Sequence, residues 1–139
     1  MLTVPNFAQY NEIVKITLRH ILISDDVRTE NNGKLLLIGL YSREMDTQRL
    51  PLIIPLAFTV GVLIEGDGAF ALTGKLTRPA SGEELLTFEA TGKTRKSGAG
   101  YVPFKFPSVT FKDAGIYEVS VCVKGQEERL AETFEVKAA

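Results

Sequence analysis

The chain has 139 residues and a formal charge of −1, with 45% hydrophobic and 24% charged residues, the size and balance of one globular domain able to bury its own core. One Cys (Cys122) excludes an intramolecular disulfide, and one His (His20) excludes a site that needs several His or Cys ligands from a single chain. Near-neutral charge gives no general attraction to nucleic acid or to an anionic membrane.

Met1–Phe7 has no positive n-region, long apolar run or small-residue cleavage site, so no secretory leader is expected. The longest apolar runs, Leu35–Leu40 and Leu52–Phe58 with its Pro55, fall short of the roughly 20 residues of a spanning helix. A lone thiol makes the reducing cytoplasm the expected compartment.

In chain order, Phe7–Val14 allows a single helical turn at most, and residues 1–11 read as an irregular arm. Val14, Ile16 and Leu18 then alternate with Lys15, Thr17 and Arg19 as a half-buried strand. The phase slips after His20, where Ile21, Leu22 and Ile23 are consecutive, which predicts a bulge or a strand buried on both faces. Asn32-Gly33 tolerates the positive φ of a tight hairpin, so Leu35–Tyr41 should return antiparallel. Ser42–Pro55 reads as a crossing loop. Leu56, Phe58, Val60, Val62 and Ile64 alternate as a strand, and a turn at Glu65–Gly68 leads to Phe70, Leu72 and Leu76. A second turn, Arg78–Gly82, precedes Leu86, Phe88 and Ala90; Lys93–Gly100 reads as a basic, Gly-rich loop. Val102, Phe104 and Phe106 share a core face, Tyr117–Val123 is the most regular strand, and a last hairpin closes onto Leu130, Phe134 and Val136.

About eight short strands separated by Gly, Pro, Asn and Asp turns predict an all-β, single-domain antiparallel β-sandwich over residues 1–139. Asp113-Ala114-Gly115-Ile116-Tyr117 has the D-x-G-x-Y spacing of an immunoglobulin-like corner. There the Tyr hydroxyl bonds back to upstream backbone. Val119 stands where antibody domains carry their second Cys, and no Trp is present.

Asp25, Asp26, Arg28 and Glu30, followed by Gly33-Lys34-Leu35 and Ile38-Gly39-Leu40-Tyr41, resemble the opening hairpin of a bacterial family of small all-β proteins of unknown function. The likeness runs from about Ile23 to the final hairpin. It implies a sandwich, immunoglobulin-like in its last strands, and brings no catalytic or binding residues with it.

Two clusters are candidates for binding. Asp25, Asp26 and Glu30 form the densest acidic group, beside Arg28 and Lys34. Adjacent strand residues point to opposite faces, so the two Asp do not easily converge on one cation, and cross-strand ion pairing is the preferred reading. Lys93, Arg95, Lys96 and Tyr101 form the one basic cluster near aromatics, a pattern that suits a single-stranded nucleic acid. A solvated loop explains it more simply, and nucleic acid is not the expected partner. Glu65 and Asp67 supply too few oxygens for a Ca²⁺ site, and His20 and Cys122 read as structural. The expected protein is non-enzymatic, without cofactor or metal, and binds another protein or itself, as a homodimer through edge strands. Candidate edges are the first and last hairpins, with Leu52-Ile53-Ile54 as an apolar patch. The alternative is a ligand-binding module using residues 93–101.

Overall fold

Alternation gives each strand one apolar face, and two sheets that close such faces on one another make a sandwich. The computed structural model describes residues 14–94 and 97–139, and among them nine strands. These are β1 (Lys15–Thr29), β2 (Leu35–Leu40), β3 (Glu44–Thr47), β4 (Leu52–Glu65), β5 (Gly68–Arg78), β6 (Glu83–Thr94), β7 (Gly98–Phe111), β8 (Gly115–Val123) and β9 (Arg129–Ala138). They form a four-stranded sheet, β2-β1-β4-β7, and a five-stranded sheet, β3-β9-β8-β5-β6. The expected β-sandwich is present. The expected arm over 1–11, and the helical turn apart from Val14, lie outside the described residues.

Ring contacts tie the sheets together. Phe88 of β6 meets Phe58 of β4 at 5.9 Å and Phe104 of β7 at 4.6 Å. Farther along, Phe111 of β7 stands edge-on to Tyr117 of β8 at 4.9 Å and to Phe134 of β9 at 5.9 Å. Tyr117 is buried, and its hydroxyl donates to the Asp113 carbonyl at 2.6 Å, the corner that D-x-G-x-Y predicts.

The structure corrects three expectations. Ser42–Pro55 is not all loop, because β3 pairs with β9 in parallel and β4 already begins at Leu52. A four-residue strand whose one buried side chain is Met45 carries no periodicity to read. The sheets are therefore antiparallel except at β3–β9, and the described residues hold nine strands, in keeping with the expected number of about eight. Third, β6 runs to Thr94 and β7 starts at Gly98, so the basic loop is shorter than Lys93–Gly100. The phase slip near His20 is a bulge, with the register shifting between Leu18 and His20.

Early β1 has β4 on one side and, on the other, among the described residues, side chains and no strand. The Ile16 and Leu18 N–H groups donate to Gln126 Oε1 (3.4 Å) and Glu128 Oε2 (2.8 Å), and the Gln126 amide donates to the Val14 carbonyl (2.7 Å). The β8–β9 turn thereby closes this flank of the sandwich.

Candidate functional site

The distal half of the β1–β2 hairpin leaves β4, since β1 pairs with it only as far as Ser24, opposite Ala57, while β4 runs on to Leu52. Tyr101 lies level with His20 through Gly61, and Thr29 lies about nine residues, or about 30 Å, farther along β1. Yet Gly33, Lys34, Leu35 and Leu37 line one cavity with Leu22, Ala99, Gly100 and Tyr101. The hairpin therefore turns back over the outward side of its own sheet. Burial agrees. Ala57 and Thr59 alternate with the core residues Phe58 and Val60, so they point outward, yet they are fully covered. Val27 on the hairpin is buried as well, apart from the cluster between the sheets.

Two devices hold the fold-back. The Asp26 carboxylate meets Arg28 at 3.1 Å and reaches across β4 to Lys105 of β7 at 3.0 Å. Hydrogen bonds from Lys105 and then Arg28 keep its carboxyl below the usual carboxylate range. Asp25 turns the other way and accepts from the Tyr41 hydroxyl. Burial, and then that hydrogen bond, push the Tyr41 phenol above its ordinary value. Gly39 takes φ +70, and a Cβ there would overlap the Asp25 carboxylate, so this position needs Gly for both reasons.

The covered cavity measures about 580 Å³. A notch of about 160 Å³, lined by Arg19, His20, Gly61, Val62, Ala99, Gly100 and Tyr101, adjoins it through the three shared residues 99–101. The His20 and Tyr101 rings lie 5.8 Å apart over Gly61, where any Cβ would strike the imidazole. On the outer surface of the hairpin, Leu36 (48%), Ile38 (39%) and Leu40 (60%) are exposed along strand β2.

The predicted acidic cluster is thus split among three tasks. Asp25 serves Tyr41, Asp26 pairs with Arg28 and Lys105, and Glu30 contributes its backbone to the tight turn through the Gly33 N–H. Among the described residues no group of three or more His, Cys, Asp or Glu is placed to hold a metal. The described members of the basic cluster, Lys93 and Tyr101, are not brought together. Lys93 pairs with Ala69, next to the inward pair Phe70–Gly92, and faces outward from the five-stranded sheet; Tyr101 faces outward from the other sheet. Phe104 and Phe106 pack against Phe88. Arg95 and Lys96 lie outside the described residues. Ile53 is exposed while Leu52 and Ile54 pack on the core. Cys122 is a partly covered free thiol, level with Thr73 and Arg129. The reading by residue type missed Leu36, Ile38 and Leu40; the available signal was an edge-strand run, Leu35–Leu40, apolar on both faces.

Two packed sheets and a covering hairpin define an all-β sandwich protein, and among the described residues no helix is long and apolar enough to cross a membrane. The family model described as a family of unknown function, DUF6941, matches residues 19–136, and the chain belongs to that family. A search of curated proteins finds no match.

Proposed function

We propose that this chain is a non-enzymatic, single-domain sandwich, immunoglobulin-like in plan, that associates with a second copy of itself through strand β2. The immunoglobulin-like plan draws support from the Tyr117 corner and from a β8–β9 hairpin beside β5. The self-association reading rests on the state of the sheet edges. An open strand edge recruits other chains unless charge, proline or shortness blunts it. Edge strand β7 carries Pro103 and Pro107, β6 carries Glu83, Glu84, Glu89 and Lys93, and β3 has four residues. Edge strand β2 has no charge and no proline, and its exposed Leu36 and Ile38 flank a backbone edge that no described strand pairs, up to the kink at Gly39.

An uncharged strand paired antiparallel with its own copy is self-complementary, the isologous contact of a two-fold dimer. Fully burying one Leu or Ile is worth about 1.5–3 kcal/mol. The half-exposed side chains of two copies together approach the low end of the roughly 4–15 kcal/mol that association costs. The dimer is therefore weak and concentration-dependent. Light scattering over a concentration series should show mass rising from monomer to dimer, and Ile38→Lys should hold the monomer with its melting temperature unchanged. A wild-type mass that stays monomeric up to millimolar protein, or a dimer that survives Ile38→Lys, would overturn the reading.

A further inference from the structure

We infer that the space beneath the folded hairpin is a binding site for a small amphiphile with an apolar body and a carboxylate head, a medium-chain alkyl carboxylate being the simplest such molecule. Its volume of about 580 Å³ lies within the roughly 300–1,000 Å³ of small-molecule pockets. The walls supply the apolar half of the match, with Leu22 from β1, Leu35 and Leu37 from β2, and the Tyr101 ring from β7. The rims supply the charged half. Lys34 borders the cavity, Arg19 and His20 border the adjoining notch, and among the described residues no carboxylate lines either space. The neighbouring acid, Asp26, already serves Arg28 and Lys105. Lys34 and Arg19 enter no ion pair among the described residues, so both cations are available to a head group.

On the same outward face Thr59 sits directly across from Leu22, fully buried and with its hydroxyl unpartnered, but it lines neither space. The bulge between Leu18 and His20 is what sets Arg19 and His20 together at the notch, and Gly61 leaves the room for it.

The test is a titration of the intact chain with decanoate below its micelle concentration, read by methyl and aromatic NMR. Decanoate should shift the Leu22, Leu35 and Leu37 methyls and the Tyr101 ring together, and decylammonium should not. Arg19→Gln should weaken decanoate by about tenfold or more, as loss of a charge-assisted contact does. Ala99→Phe should block the entrance while leaving the melting temperature in place. Ile38→Lys should leave decanoate affinity unaltered, which separates this site from the self-association reading. Equal shifts with decylammonium, no shift with either, or capture on phosphatidylglycerol vesicles without a response to monomeric decanoate would overturn the inference.

Discussion

Replacing Tyr117 with Phe removes one oxygen and leaves the ring. The ring keeps its edge-on contact with Phe111 and its stacking on Phe134, so the change isolates the 2.6 Å bond to the Asp113 carbonyl. A neutral hydrogen bond of this kind contributes about 0.5–1.5 kcal/mol net. Asp113 lies at the surface and water can take over part of the acceptor, so the cost should be about 1 kcal/mol. Over 139 residues an unfolding entropy of about 2.1 cal/mol/K per residue turns each kcal/mol into about 3 °C of melting temperature. Calorimetry should therefore place Tyr117→Phe about 3 °C below wild type. Tyr117→Ala, which also empties the ring's volume, should fall several times further, in line with about 3–5 kcal/mol for an aromatic deletion. A Phe variant that melts with wild type, or one that falls as far as the Ala variant, would refute the corner as a hydrogen-bonded device.

Gly39→Ala forces a side chain into a positive φ and against Asp25, so urea denaturation should show a loss of about 1–3 kcal/mol. The Asp26 carboxyl is held below its ordinary 3.8 in the folded chain. Its stabilising contribution is therefore fully present above that value and disappears as pH falls through the lower, folded value. Amide protection in the hairpin, taken against the intrinsic exchange rate at each pH, should fall in that acidic window, and Asp26→Asn should make it low and unchanging there. Tyr41 is held above its ordinary value of 10. It should stay protonated while the unfolded chain ionises, and the stability it contributes should be lost as pH rises through the folded value. Near-UV absorbance of Tyr41→Phe against wild type reads this directly, and a Tyr41 titrating at its ordinary value would reject the Asp25 contact.

Much of the sandwich was legible because two-residue periodicity reports faces. The run Tyr117, Val119, Val121, Val123 and the Asn32-Gly33 turn each state their geometry locally. The folded-back hairpin was not legible, for a physical reason. Alternation says that Ala57 and Thr59 oppose Phe58 and Val60; it does not say whether that opposite face meets water or another segment. Small and polar residues suited both outcomes, and only the three-dimensional path of β1 decides it. The acidic cluster was readable in kind, as ion pairing for Asp26. Its long partner Lys105 was not, since a contact across an intervening strand leaves no local spacing. Of the basic cluster, Lys93 and Tyr101 stand on different sheets, which closeness along the chain does not reveal.

The flank closed by Gln126 and Glu128 is a seam of another kind from the rest of the molecule. Elsewhere in each sheet, parting two strands means breaking a run of main-chain bonds, whereas here three bonds from two side chains hold the line. This flank is therefore a place where the sandwich can gape. Thermal motion should part β1 from the β8–β9 turn there with the main core still shut. Anything fastened to β1, the overturned hairpin included, will ride on that door.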